Sequence, residues 1–188
     1  MKLTTVSEYL ESIKNGPISQ PDGVTCQSVC VSAVMGGKRS IAQVRSDLLE
    51  IGEPGDPAVM AEYLEEHFGD RYSLDMTASI DDMRSWINGG EVLITHGWFT
   101  GPGHVICLDG VDKKGFRAMD PWEEFHAFEW LYLSDVDAFQ GIYSDDLIYA
   151  ACVLGESRSD SHRIYLSGGA IDRARGGAWV HRIKSGVK

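Results

Sequence analysis

The sequence has no hydrophobic run that approaches the roughly 20 residues a transmembrane helix needs. Residues 1–15 contain no apolar segment followed by a small-residue cleavage site, so we expect no secretory signal and a cytoplasmic protein, with export by another route left open.

Basic residues are also scarce, because 17 Lys and Arg stand against 28 Asp and Glu and give a formal net charge of −11. Such a charge repels phosphate backbones and anionic lipids. We therefore expect neither nucleic acid nor a membrane as partner.

The chain of 188 residues has four cysteines. Their positions do not form the paired C-x-x-C framework of a structural zinc site, so we expect thiols and no metal. We also expect that no organic cofactor is needed. A chain of this length can bury about 70% of its unfolded surface, and its fold therefore does not depend on disulfides.

The pattern of apolar residues, caps and turns predicts helices first and strands afterwards. The predicted helices cover residues 6–15, 26–35, 40–51, 56–68 and 79–88, and the predicted strands cover residues 72–78, 91–98, 104–111, 115–119 and 147–154. This order predicts an α+β domain over residues 1–154, in which a buried central helix packs on a C-terminal antiparallel sheet. Residues 155–188 are rich in Ser, Arg, Gly and Asp, and we expect them to form an extension that is partly flexible.

Four residues, each in a particular place, predict a thiol-based active site. Cys26 begins the central helix, where free N–H groups and partial positive charge lower the pKa of a thiol. His104 opens a strand after a Gly-Pro-Gly turn and can take the proton of that thiol. Asp120 ends the next strand and can fix the tautomer of the histidine. Gln20 lies six residues before Cys26 and can donate, together with the Cys26 backbone N–H, to a developing oxyanion.

This arrangement resembles the papain-like cysteine peptidases. The similarity rests on the chain order of four features, namely Gln20, Cys26 followed by a helix, Gly103-His104-Val105-Ile106, and Asp120-Pro121. It covers about residues 18–122 and is strongest to the bacterial and phage group related to the peptidase domain of bacteriocin-exporting transporters, which cleaves after double-glycine leaders. The family often has Gly-Pro after its nucleophile, whereas this chain has Gln27-Ser28.

The resemblance implies a papain-like fold and assigns one role to each of four residues. They are Cys26 as nucleophile, His104 as general base and acid, Asp120 as orienting residue, and Gln20 in the oxyanion hole.

Several alternatives stay open at this point. His96 follows an apolar strand and can replace His104 as the base if the strand register differs. Asp109 and Asp112 are alternative orienting residues, although both more naturally form the hairpin turn. Within an aromatic-rich neighbourhood, Trp98 and Trp122 are the candidate substrate-binding residues, with ordinary core packing as the alternative.

The remaining cysteines and histidines have simpler expectations. We expect buried, inert thiols at Cys30, Cys107 and Cys152. We expect surface or helix-end positions for His67, His126, His162 and His181.

The expected function is that of a cysteine hydrolase that cleaves a peptide amide bond through an acyl-enzyme thioester. Peptides of peptidoglycan are the leading substrate class, in a lysis-type role in a phage or a bacterium. The alternative is a catalytically silent papain-like fold that binds a protein partner, which the residues after Cys26 and the acidic surface motivate. Acyl transfer to an amine uses the same residues, and the sequence does not separate it from hydrolysis.

Overall fold

The computed structural model describes residue 9 and residues 18–53, 55–133 and 138–184. The helices are α1 (Cys26–Val34), α2 (Ile41–Ile51), α3 (Pro57–Phe68), α4 (Ile80–Asn88), α5 (Asp145–Ile148) and α6 (Arg158–Leu166), with a 3₁₀ turn over Gly69–Arg71 and a π-helix over Tyr149–Leu154. The strands are β1 (Tyr72–Ala78), β2 (Val92–Gly97), β3 (His104–Val111), β4 (Gly115–Asp120), β5 (Phe125–His126), β6 (Leu131–Tyr132), β7 (Phe139–Ser144) and β8 (Ala178–Ile183). Within these described ranges, no helix has the length and apolarity to cross a membrane. The helix predicted over residues 6–15 lies outside them, apart from the buried residue Tyr9.

Six strands form one antiparallel sheet in the order β1-β8-β2-β3-β4-β7, and β5 and β6 form a separate hairpin. Both faces of the sheet are covered by apolar clusters. Leu93 and Ile106 belong to one cluster, whereas their chain neighbours Ile94 and Cys107 belong to the other, because side chains alternate between the faces of a strand. The predicted α+β class is confirmed.

Local capping explains why the helices begin where the sequence predicts. Ser40 and Ser79 form capping boxes at the starts of α2 and α4. Asp56 caps α3, and Pro57 occupies the first helical position. Every residue of α1 after Cys26 is buried, which confirms the predicted central helix.

The strand predicted over residues 147–154 is wrong, because this segment is helical. Ser144 caps α5 through the N–H of Leu147, and two aspartates in the first turn favour a helix start. The π-helix that follows buries almost all of its residues, and a short apolar run that is buried all round does not reveal its period. The outer strand beside β4 is instead β7, which the sequence analysis did not predict.

Residues after Gly155 differ most from expectation, because they supply a helix and an internal strand rather than a partly flexible extension. Strand β8 lies between β1 and β2. The glycines that suggested flexibility allow close backbone contacts: a Cβ atom on Gly176 would lie 2.2 Å from the carbonyl oxygen of Thr77. Basic residues here pair with the acidic body, since Arg173 lies 2.6 Å from Asp145.

Candidate active site

The structure brings Cys26, His104 and Asp120 together as one chain of contacts. Nε2 of His104 lies 2.7 Å from Oδ1 of Asp120, and both side chains are almost completely buried. The Cys26 thiol is the second hydrogen-bond partner of His104, which leaves Nδ1 for the sulfur. This order of thiol, imidazole and carboxylate is the one predicted from the sequence.

Strand register places the imidazole and the carboxylate on the same face of the sheet. Cys107 of β3 pairs with Met119 of β4, so Asp120 comes level with Ile106. His104 precedes Ile106 by two residues and therefore points to the same side. The two side chains meet diagonally across neighbouring strands, at a separation that long side chains can bridge.

Cys26 is the first residue of α1 and is only partly buried. Burial raises the pKa of its thiol, but the hydrogen bond and charge of His104, together with two backbone hydrogen bonds, lower the pKa from its ordinary value. Backbone N–H groups of Gln27 and Val105 also donate to the sulfur. The N–H of Gln27 belongs to the first turn of α1, where helix N–H groups lack intrahelical partners. The local setting therefore favours a thiolate.

His104 has an electrostatic environment that favours its charged form. Burial lowers the pKa of the imidazole, but the charge and hydrogen bond of Asp120, with a smaller contribution from Cys26, raise it to about 10. A thiolate and an imidazolium in contact stabilise each other. Together with the lowered pKa of the thiol, this geometry favours an ion pair between Cys26 and His104.

The carboxylate of Asp120 accepts four hydrogen bonds and has no exposure to solvent. Oδ1 accepts from Nε2 of His104 and from the backbone N–H of Trp122 at 3.0 Å. Oδ2 accepts from the hydroxyl of Tyr132 at 2.9 Å and from the hydroxyl of Tyr143 at 2.8 Å. A buried carboxylate needs hydrogen-bond donors in place of solvent, and these four groups supply them.

Gln20 lies in a loop that is tied to the turn after Asp120. Its backbone N–H donates to the carbonyl oxygen of Pro121 at 2.8 Å. Its side-chain Nε2 donates to the carbonyl oxygen of Asp22 at 2.5 Å. The loop before α1 is therefore anchored beside the carboxylate.

The two tryptophans predicted to bind substrate have different surroundings. Trp122 is 37% exposed, stacks on Tyr132 with 5.5 Å between ring centroids, and presents an edge contact to His104 at 6.1 Å. Trp98 is partly buried, and its carbonyl oxygen accepts a hydrogen bond from the indole of Trp130. Of these two tryptophans, Trp122 is the one whose ring contacts the imidazole of His104.

His96 belongs to a separate histidine pair. Its Nε2 lies 3.0 Å from Nε2 of His181, whose Nδ1 contacts the hydroxyl of Tyr72 at 2.8 Å. Burial lowers the pKa of His96 to about 4 and that of His181 well below its usual value. The surface position expected for His181 is wrong, since this side chain is completely buried on β8.

The alternative orienting carboxylates serve the β3–β4 hairpin. Asp112 accepts from the backbone N–H of Lys114 at 2.6 Å and of Gly115 at 3.1 Å, as the sequence predicts for a turn residue. Asp109 pairs with the guanidinium of Arg117 on the opposite strand. Both carboxylates therefore have local partners other than His104.

The other three cysteines are buried, as expected. Burial raises the pKa of Cys152 to about 12 and that of Cys30 well above its usual value, so these thiols are poor nucleophiles. In the part of the chain that the structure describes, no group of three or more His, Cys, Asp or Glu side chains is arranged to hold a metal ion.

Sequence reasoning missed Tyr132 and Tyr143 as members of the site. Tyrosine in a strand is commonly a core residue, and nothing local marks a hydroxyl that will meet a carboxylate from another strand. The backbone N–H of Val105 was missed for the same reason, because the position of α1 beside β3 decides its partner.

Comparisons of the chain with models of known protein families and with curated proteins found no match.

Proposed function

We propose that this protein is a cysteine hydrolase of papain-like type that cleaves a peptide amide bond. One observation carries the proposal: the thiol of Cys26, whose pKa is lowered, contacts an imidazole that a buried carboxylate holds by its other nitrogen. A nucleophile, a base and a group that orients the base within hydrogen-bond reach are the usual components of thiol acyl transfer.

The reaction begins with the Cys26 thiolate, which attacks the carbonyl carbon of the scissile amide and forms a C–S bond. The electron pair of the carbonyl moves to oxygen. On collapse of this intermediate the C–N bond breaks, and the His104 imidazolium donates its proton to the leaving amine. His104 then takes a proton from water, which attacks the thioester, releases the carboxylic acid and regenerates the thiolate and imidazolium.

The negative oxygen needs donors during both steps. Gln20 and the backbone N–H of Cys26 are the proposed pair. One hydrogen of the Gln20 amide is committed to Asp22, and a primary amide carries two. The second hydrogen is therefore the one assigned to the oxyanion.

Peptides of peptidoglycan are the proposed substrate class, and Trp122 is proposed to contact the substrate. Its ring is more than one-third exposed beside His104, so a substrate group can pack on it without rearrangement of the core. Trp98 is proposed as a second substrate contact, although its backbone bonds to Ala151 and to the indole of Trp130.

The test is cleavage of defined peptide pools by the purified chain. Purified muropeptides and a tryptic peptide library are incubated separately with the wild type, with Cys26→Ala and with Cys152→Ala, and new termini are identified by mass spectrometry. We expect cleavage by the wild type and by Cys152→Ala, and none by Cys26→Ala. If the library is cleaved and the muropeptides are not, the hydrolase proposal stands and peptidoglycan peptides are excluded as the substrate class.

Equal absence of products from all three proteins would overturn the hydrolase proposal. The silent binding protein would then be favoured. Transfer of the acyl group is distinguished in the same experiment by adding a primary amine, such as glycine ethyl ester, and searching for products heavier by the amine adduct.

A further inference from the structure

We propose that Tyr132 and Tyr143 are positioning residues of the active site, which act through Asp120 to maintain the ion pair between Cys26 and His104. The inference rests on the proposed function, because it assigns to these hydroxyls a part in nucleophile activation. It is carried by the hydrogen-bond geometry of Oδ2, which receives both hydroxyls at 2.9 and 2.8 Å.

The two hydroxyls reach the carboxylate from separate parts of the fold. Tyr132 lies on the short strand β6, whereas Tyr143 lies on β7 of the main sheet. Both donate to the oxygen that does not contact His104, so they fix the rotation of the carboxylate and leave Oδ1 directed at Nε2. The backbone N–H of Trp122 holds Oδ1 from a third direction.

Both phenols are suited to remain donors. Burial and the charge of Asp120 hold the pKa of each tyrosine well above its usual value, so neither loses its proton in the range where the thiol titrates. The hydroxyl of Tyr143 also accepts from the backbone N–H of Phe125 at 3.0 Å. Its hydrogen has two acceptors, Oδ2 at 2.8 Å and the carbonyl oxygen of Glu123 at 3.3 Å, and the shorter contact to a charged oxygen favours Oδ2. Hydrogen bonds to a charged group that is buried from solvent are among the stronger ones in proteins.

The effect on Cys26 follows from the order of contacts. Donors at Oδ2 stabilise the negative charge of a carboxylate that is completely buried. That charge stabilises the imidazolium of His104, and the imidazolium in turn stabilises the thiolate of Cys26. Loss of a donor weakens each step, so the thiol keeps its proton to higher pH.

Other titratable groups act on the same site from neighbouring elements. Cys30 on α1 interacts electrostatically with Cys26 and Asp120. Glu124 interacts electrostatically with Tyr143. Neither group is altered in the variants proposed below.

The test is the pH dependence of Cys26 alkylation by iodoacetamide, read by peptide mass spectrometry, in Tyr132→Phe, Tyr143→Phe and the double variant. Tyr132→Phe retains the ring that stacks on Trp122 and removes only the hydroxyl. Tyr63→Phe is the matched control, because its hydroxyl also donates to a carboxylate, at 3.1 Å, but from α3 to Asp47. Near-UV circular dichroism checks the fold, and if the double variant does not fold, the two single variants decide.

We expect the alkylation midpoint to rise in each single variant and by about one pH unit, a tenfold change in thiol acidity, in the double variant. The control should keep the wild-type midpoint. An unchanged or lowered midpoint in folded Tyr132→Phe and Tyr143→Phe would overturn the inference, since a merely structural hydroxyl alters stability but not this profile.

Failure of the proposed function has a different signature. In that case wild-type Cys26 itself alkylates with the midpoint of an ordinary thiol, or the peptide pools stay intact. A different result is a wild-type protein that cleaves peptide and has a lowered alkylation midpoint at Cys26. If the tyrosine variants then have the same midpoint, only the positioning inference fails.

Discussion

Replacement of His104 should reverse the direction in which the pKa of Cys26 is shifted. Burial raises the pKa of this thiol, and the largest opposing contributions, a hydrogen bond and a charge, both come from His104. Without the imidazole, the backbone N–H groups of Gln27 and Val105 oppose burial alone. We therefore expect a pKa above the ordinary thiol value of 9.0 in the variant.

The size of the effect follows from the thiolate fraction. A thiol with a pKa of 9.0 or more has at most about 1% thiolate at pH 7, and each further unit removes another factor of about ten. The thiolate of a more basic thiol is intrinsically more nucleophilic, which returns about a factor of three per unit. The net loss is about threefold per unit, so we expect alkylation of Cys26 at pH 7 to slow about threefold for each unit by which its pKa rises.

The assay is the rate of iodoacetamide labelling at each cysteine from pH 5 to pH 10. His104→Gln is preferred, because its amide can still donate to the buried carboxylate of Asp120, and His104→Ala is the second variant. His67→Gln is the control, since this histidine bonds to a main-chain carbonyl of α3. Labelling of Cys26 that is unchanged in both His104 variants would refute the electrostatic reasoning, provided that circular dichroism shows a native fold.

Three further predictions concern stability and are measured by urea denaturation. Ile183→Ala should lower the free energy of unfolding by about 2–5 kcal/mol, because β8 is an internal strand and this side chain is 3% exposed. A loss below about 0.5 kcal/mol, which is typical of a surface substitution, would show that β8 is peripheral. His96 has a folded pKa of about 4 against 6.5 when unfolded, so the unfolded chain binds more protons between these values. Stability should fall from pH 6.5 to pH 4 by up to about 1.4 kcal/mol per unit, and His96→Gln should flatten this slope; an equal slope in that variant contradicts the assignment. Ser40→Ala should cost about 1 kcal/mol through loss of the cap to Gln43, whereas no change would mean that the cap is dispensable.

Predictions made from local signals agree best with the structure. Ser40 and Asp56 mark helix starts because a cap satisfies N–H groups only two or three residues away. The turn at Asp112 is similarly local. Cys26 at a helix start and Asp120 at a strand end follow from the same kind of signal, and the β3–β4 hairpin brings Asp120 to His104 over 16 residues.

The errors arise where distant segments decide the outcome. An apolar run such as 147–154 is compatible with a strand or a buried helix, and its neighbours in the fold select the helix. Gly176 and Gly177 resemble a flexible linker by composition, yet they permit backbone approach to Thr77 and Val153. Composition does not distinguish these two uses of glycine.

Residues close together in the chain were enough to predict the α+β class, the capped helices and the positions of the thiol, imidazole and carboxylate along their elements. Tertiary structure alone decided that β8 enters the sheet, that His181 meets Tyr72 across 109 residues, and that two tyrosine hydroxyls converge on Asp120. These contacts have no local signature, because a strand or a hydroxyl acquires its partner only when the whole core is assembled around it.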